Sequence, residues 1–258
     1  MDYALFAFLS TFGLFVCLVL FLETGRRIGV RRKTRDPKDA SAGVGPIDGA
    51  VFGLMGLLVA FTFSGASSRF DTRRQLIVEE TNAIGTAYLR LDLLRAEARP
   101  QLQEIFRQYV AERLKVYRKM PDLEAVKEEL AKATKLQGEI WSQAVAACRE
   151  EETPQATMLL LPALNAMIDI TTNRTMAAQT HPPRIVFVML FGSALASALL
   201  AGYGMAEAKT RDWVRMLSFA ALIAAAVYVI LDLEFPRIGL IRVDTFDQAL
   251  VDLLESMK

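Results

Sequence analysis

Two lines of polar side chains on predicted helices are the candidates for ion chemistry in this sequence. The members of each line recur at three- or four-residue steps, which places them on one face of a helix. The lines comprise Glu79, Asn82 and Thr86, and Asn165, Asp169 and Asn173. If the two lines face each other in a helical bundle, they could bind an ion or a polar ligand. The alternative is that both are solvent faces or satisfied polar pairs.

A metal centre of the ferritin type is excluded by the histidine content. Such centres need Glu-x-x-His pairs on their helices, and the single histidine, His181, is followed by two prolines. His181 is therefore predicted to have a surface or capping role. No nucleophile elbow, P-loop, dinucleotide fingerprint, CxxC pair or HExxH motif occurs. The sequence predicts a protein that is not an enzyme and that holds no cofactor or metal.

A cluster of charged residues follows the last apolar run. It comprises Asp232, Glu234, Arg237 and Arg242. Charge inside a membrane indicates function by default, but these residues are expected at the membrane interface, where charge costs little. An ion-pair network that pins the tail is the main interpretation, and a functional cluster is the alternative.

Small side chains form a stripe along the second apolar run. Its members are Gly49, Gly53, Gly56, Ala60, Ser64 and Ser67. Such stripes let helices approach closely in lipid, so this one is expected either to pack within the chain or to form a self-association face or pore lining. In a pore, Phe63 and its neighbour Phe61 could form an apolar constriction that gates by dewetting. The third run has a less regular set that is predicted to serve packing: Gly192, Ser193, Ala196, Ser197, Ala198 and Gly202.

Four apolar runs are long enough to position these residues across a bilayer, which takes about 20 residues of helix. The runs are Tyr3–Leu22, Ile47–Ser64, Ile185–Met205 and Val214–Leu231. The long charged segment between the second and third runs keeps a helical period. The predicted fold is an all-α integral membrane protein with four transmembrane helices and a helical bundle inserted between the second and third.

The predicted domains follow from these runs. They are a first transmembrane pair at 1–66 with a basic loop at 23–46, a soluble bundle at 67–183, a second pair at 184–235, and a tail at 236–258 with a short amphipathic helix. The first bundle helix is expected to continue span two, with a bend at Gly65. Further helices are predicted at about 99–118, at about 122–150 and from Pro154, with a kink at Pro162.

The charge distribution bears on partners and on orientation. A formal net charge of +1, with both signs mixed in the bundle, excludes a field that gathers nucleic acid. Short basic loops stay in the cytoplasm, and the first loop carries seven Lys and Arg residues. The bundle is therefore predicted on the extracytoplasmic side, in a bacterial inner membrane. Arg69, Arg73 and Arg74, which follow span two, favour the opposite orientation.

Two stretches carry a resemblance to a known family. LLVAFTFSGASSRFDTRRQLIVEETNAIGTAYLRLDLL at 57–94 and LDLEFPRIGLIRVDTFDQALVDL at 231–253 resemble the bestrophin-like membrane proteins of bacteria and plants. The resemblance implies kinship with bestrophins, which are pentameric anion channels with four spans and a helical cytosolic part. No bestrophin site is matched residue by residue.

Two functions follow as hypotheses. The first is an oligomeric membrane channel or pore for anions, lined by span two, with the lipid bilayer and further copies of the chain as partners. The oligomer would be a pentamer if it follows the bestrophins. The alternative is a non-transporting sensor or scaffold whose bundle binds a ligand or a partner protein. A ring of four or more subunits favours the pore, whereas a monomer or dimer favours the sensor.

Overall fold

The computed structural model of the protein describes residues 3–35, 45–119, 122–149, 154–207, 210–237 and 239–258, and within these ranges every regular element is helical. Eight α-helices and two short 3-10 helices occur there. The α-helices are α1 (Tyr3–Arg35), α2 (Pro46–Leu89), α3 (Arg99–Arg118), α4 (Leu123–Arg149), α5 (Pro154–Gln179), α6 (Arg184–Gly204), α7 (Trp213–Glu234) and α8 (Asp244–Ser256). The 3-10 helices are Arg90–Leu93 and Met205–Glu207.

Four helical stretches are long and apolar enough to cross a membrane. They are Leu9–Arg35, Pro46–Leu93, Pro154–Gly204 and Trp213–Glu234. The prediction of an all-helical chain with four apolar helices is therefore confirmed.

Helix starts in the charged segment follow local chemistry. Pro100 lies in the first turn of α3, where its missing N–H costs no hydrogen bond. Before α4, the Asp122 carboxylate accepts hydrogen bonds from the backbone N–H groups of Glu124 and Ala125, each at 3.2 Å. This capping satisfies donors that a helix start leaves open. Both starts lie within a residue of their predicted positions.

Helix α2 is continuous from Pro46 to Leu89. Gly65 does not end it, in accord with the predicted continuation of span two, because a single glycine weakens a helix by only about 1 kcal/mol. The polar part of α2 buries residues at three- and four-residue steps, among them Ile77, Ile84 and Ala87.

Helix α1 corrects one expectation. Residues 23–35, predicted to begin a basic loop, continue the helix to Arg35. Lysine and arginine are good helix formers, and the two glycines of this stretch, Gly25 and Gly29, lie where α1 packs closely on other helical backbone. Lys38, the last of the seven basic residues, lies outside the described ranges.

Contacts divide the chain into two compact units. The first, here the span unit, comprises Met1–Ser68 and His181–Phe235, and the second, the bundle unit, comprises Arg69–Thr180 and Pro236–Lys258. In the span unit α1 packs against both α6 and α7. Leu18 and Leu22 of α1 are fully buried there.

The core of the bundle unit is apolar and is built from several helices. Phe106 and Tyr109 of α3, Ile140 of α4, Leu164 of α5 and Leu250 of α8 are all fully buried in one cluster. Burial of side chains of this size contributes roughly 1.5–3 kcal/mol each. Helix α8 lies close to the position predicted for the tail helix, and through Leu250 it is an integral part of this core.

Candidate functional site

The small-residue stripe of span two lies on an open face of α2. Gly53, Gly56, Ala60 and Ser64 are exposed, and Ser67 is half-buried. A Cβ atom added at Gly49, Gly53 or Gly56 would meet no other atom within 4 Å. The described part of the chain thus leaves this face without a packing partner.

The apolar residues around the stripe are also uncovered. In the most apolar part of α2 only 11% of residues are buried, against 22%, 28% and 39% in the most apolar parts of the other three stretches. Phe61 and Phe63 are 70% and 46% exposed. Among the four stretches, α2 therefore has the least packing inside its own chain.

Small residues elsewhere in the span unit serve packing, which agrees with part of the prediction for span three, whereas Gly192 and Ala196 of that set are exposed. Ser197, Ala198 and Gly202 of α6 are buried. A Cβ atom on Gly202 would lie 1.9 Å from the carbonyl oxygen of Leu22, and one on Gly25 would lie 2.0 Å from the carbonyl oxygen of Leu199. The two helices therefore approach backbone to backbone, and only glycine fits at these two positions.

The two polar lines proposed as an ion site are not brought together in the core. Glu79, Asn82, Asn165, Asp169 and Asn173 are all exposed. Glu79 accepts a hydrogen bond from the side-chain amide of Gln75 at 2.8 Å. This placement matches the alternative interpretation, in which the lines are solvent faces.

The buried polar site of the bundle unit centres on Glu80, the residue next to Glu79. Glu80 is fully buried, and Arg113 and Arg174 are 1% and 7% exposed. Arg113 Nε donates to Glu80 Oε1 at 2.6 Å, and Arg174 donates to Glu80 Oε2. Helices α2, α3 and α5 thus each contribute one charge to a closed ion-pair network.

A tyrosine and a second carboxylate extend the network. The Tyr117 hydroxyl donates to Glu80 Oε2 at 3.1 Å, and the Arg174 guanidinium lies 3.6 Å from the centre of the Tyr117 ring. Arg174 also donates to Asp247 at 3.1 Å. Asp247 in turn accepts two hydrogen bonds from Arg237, at 2.7 and 3.1 Å. Two carboxylates therefore form ion pairs with three arginines around one aromatic ring.

The electrostatics of the network keep its arginine charged and its tyrosine neutral. Burial acts to lower the pKa of Arg113, but the negative charge of Glu80 and its hydrogen bond act in the opposite direction, and the pKa is raised. Burial raises the pKa of Tyr117, and the negative charge of Glu80 raises it further against the opposing arginines. The Tyr117 hydroxyl stays protonated across the physiological range.

The charged cluster at the chain's last span exit lies partly in each unit. Asp232 and Glu234 are buried, and Glu234 lies 3.4 Å from Nδ1 of His181. The His181 ring stacks on Phe235 with the ring centres 4.7 Å apart. In the bundle unit Arg237 pairs with Asp247, whereas Arg242 is exposed.

The sequence signal for the buried network was a charge in an apolar register. Glu80 shares its helix face with Ile77, Ile84 and Ala87, and Arg113 shares a face of α3 with Tyr109. A buried charge needs a partner, so two such charges on neighbouring helices predict an ion pair between them.

Among the described residues, no group of three or more His, Cys, Asp and Glu side chains could hold a metal ion.

Comparison with known proteins gives a consistent result. The sequence matches the family model of the Bestrophin-like domain over residues 6–246. No curated protein sequence matches the chain.

Solved structures resemble the fold along nearly the whole chain. A variant of a bacterial bestrophin homologue from Klebsiella pneumoniae has a TM-score of 0.69 at 14% identity, covering 95% of this chain and 98% of that one. A second variant of that homologue has a TM-score of 0.65 at 15% identity, covering 93% and 98%. A crystal structure described only as a membrane protein has a TM-score of 0.69 at 14% identity, covering 95% and 97%. At such identities the likeness establishes the fold.

Proposed function

Because this chain belongs to the Bestrophin-like family, we propose that it forms an oligomeric membrane channel whose pore is lined by the apolar part of α2. In this proposal the bundle, residues 67–183, is inserted between the span pairs 1–66 and 184–235, and 236–258 forms the tail. Further copies of the chain cover the faces that one copy leaves open. The resemblance to bestrophins implies that the channel has five copies and transports anions.

The open small-residue face of α2 is the observation that carries the proposal. Lipid accommodates large apolar side chains as well as small ones, so a lipid-facing surface has no need for Gly49, Gly53 and Gly56. Small residues matter where another protein surface approaches closely or where an axis needs room. Since a Cβ atom at these three glycines would meet nothing in the part of the chain that the structure describes, a second copy or a pore is the occupant we assign.

The stripe and the phenylalanines next to it would supply the parts of a pore. Phe61 and Phe63, both largely exposed, would form an apolar constriction that excludes water until it widens. The hydroxyls of Ser64 and Ser67 would offer hydrogen-bond donors to a passing anion next to that constriction.

Flux through sealed liposomes tests the channel directly. Purified full-length protein is reconstituted, its oligomer is verified, and chloride and cation flux are measured over a range of voltage and pH. We expect chloride flux that exceeds the flux in protein-free liposomes. If a verified oligomer passes neither chloride nor cations, the alternative of a membrane sensor or scaffold takes the place of the channel.

We further propose that the bundle lies on the extracytoplasmic side of a bacterial inner membrane. Basic residues near the end of span one favour this side, because such residues stay in the cytoplasm. Cys148 is unsuitable as a probe because it is buried. In a background without Cys17 and Cys148, Lys135→Cys should react with a membrane-impermeant thiol reagent in intact cells, and Lys33→Cys should not. Lys135 is suited to this test because its side chain is 81% exposed. The reverse labelling pattern would place the bundle in the cytoplasm.

A further inference from the structure

A pocket of about 310 Å³ lies in the bundle unit, between α3, the segment after Pro236 and α8. This volume is at the lower end of the range for small-molecule sites. Most of its lining is polar. The polar lining residues are Tyr117, Arg118, Arg237, Arg242, Asp247 and Gln248.

The charges that line the pocket are unbalanced towards positive. Arg118, Arg237 and Arg242 face a single lining carboxylate, Asp247, among the described residues. That carboxylate already accepts hydrogen bonds from Arg237 and, from outside the lining, from Arg174. Glu80, which accepts a hydrogen bond from the lining residue Tyr117, is buried and is matched by Arg113 and Arg174. The pocket thus offers many N–H donors to a negatively charged guest.

The floor of the pocket is held in place before any guest arrives. Arg237 is fixed by two hydrogen bonds to Asp247, and its guanidinium lies 4.8 Å from the centre of the Tyr117 ring. Tyr117 is itself hydrogen-bonded to the buried Glu80. A guanidinium held this way loses little conformational entropy on binding.

We propose that this pocket binds a small molecule carrying two or more negative charges on phosphate or carboxylate oxygens. Planar guanidinium groups match such oxygens with paired hydrogen bonds. Arg118 and Arg242, both exposed at the pocket, would close on the guest from the rim while Arg237 holds it from the floor. This inference does not rest on the proposed channel function.

The test is a binding titration on the full-length protein in lipid nanodiscs at constant ionic strength. Pyrophosphate is the phosphate probe and citrate is the carboxylate probe. The pocket variant is Arg118→Gln with Arg242→Gln, which changes exposed residues and spares the buried network. The control variant is Lys135→Gln with Arg149→Gln, which removes the same charge from exposed positions outside the pocket lining.

We expect the unaltered protein and the control variant to bind at least one probe with equal affinity, and the pocket variant to bind about tenfold more weakly or worse. The probe that binds more tightly identifies the guest as phosphate or carboxylate. Absence of binding of either probe to the unaltered protein would overturn the proposal. An equal loss of affinity in both variants would also overturn it, because general electrostatic attraction would then explain the binding.

Discussion

The two halves of helix α2 differ in how far their side chains are buried. The apolar half leaves its side chains open, with 11% of residues buried in its most apolar stretch. The charged half buries Arg73, Ile77, Glu80, Ile84 and Ala87. A reading by composition alone would have reversed this order, with the apolar half inside and the charged half outside.

The difference shows where each half finds its partners. The charged half is satisfied within its own chain. Glu80 pairs with two arginines, and Arg73 donates to the carbonyl oxygens of Ala177 and Thr180 at 3.1 and 2.9 Å. Among the described residues the apolar half has no comparable partners in one copy, so we assign its cover to lipid and, in our proposal, to further copies. Four changes test this contrast, from the largest expected effect to the smallest.

Removing the charge of Glu80 should have the largest effect. Glu80→Gln leaves Arg113 and Arg174 buried with less than their matching charge, and breaking a buried pair costs about 3–5 kcal/mol. Thermal unfolding of the purified protein should show a much lower midpoint. Glu79→Gln is the matched control, since Glu79 is exposed, and it should change stability by at most about 0.5 kcal/mol. Equal stability of the two variants would refute the assignment of the buried network.

A methyl group at Gly202 should be nearly as damaging. The added carbon would lie 1.9 Å from the Leu22 carbonyl oxygen, so α1 and α6 would have to separate, at about 1–3 kcal/mol or more. Gly192→Ala, on the same helix, has open space and should be neutral or slightly stabilising, because alanine favours helix. Yield and unfolding temperature in detergent measure both. If Gly202→Ala equals Gly192→Ala, the close crossing of the two helices is wrong.

A large side chain on the open stripe should spare the fold and disturb assembly. Gly53→Leu or Ala60→Leu would prevent close approach between copies, at about 1–2 kcal/mol per contact. We expect a monomer with normal helix content, or an oligomer with blocked flux. Leu57→Ala, beside the stripe, should be milder, and Ser64→Ala should keep assembly. Full assembly and flux in Gly53→Leu would show that the stripe faces lipid and forms neither a subunit interface nor a pore lining.

Alkaline pH should produce the smallest effect. The pKa of Tyr117 is raised in the folded protein, so the unfolded chain loses this proton first, near pH 10. The resulting stability is complete below that pH and declines as pH rises above it. Unfolding temperatures of the unaltered protein should fall more steeply above pH 10 than those of Tyr117→Phe. Parallel curves would show that Tyr117 contributes nothing to this decline.

Local signals made much of the fold predictable. Pro100 and Asp122 mark helix starts through fixed backbone chemistry, and the four apolar runs follow from bilayer thickness. The extension of α1 to Arg35 was missed because the basic residues after span one were expected to form a loop, although lysine and arginine also form helix well. The sequence alone does not show whether a glycine lies at a tight helix crossing or on an open helix face, because that depends on the neighbouring helix.

The polar site of the bundle was missed by one residue. Successive residues on a helix are rotated by about 100°, so Glu79 faces outwards while Glu80 faces the core. Spacing identified a polar line but left open whether it faces the core or the solvent, because spacing cannot tell which face is buried. The apolar neighbours Ile77 and Ile84 were the signal that could have selected Glu80.

The mass of the intact particle tests the central claim most directly. That claim is that further copies of the chain cover the open small-residue face of α2. Native mass spectrometry of the unaltered protein, released from nanodiscs, counts the copies without relying on activity. The account predicts a ring of four or more copies in the unaltered protein. A monomer in the unaltered protein, with the α2 face exposed to lipid alone, would contradict it.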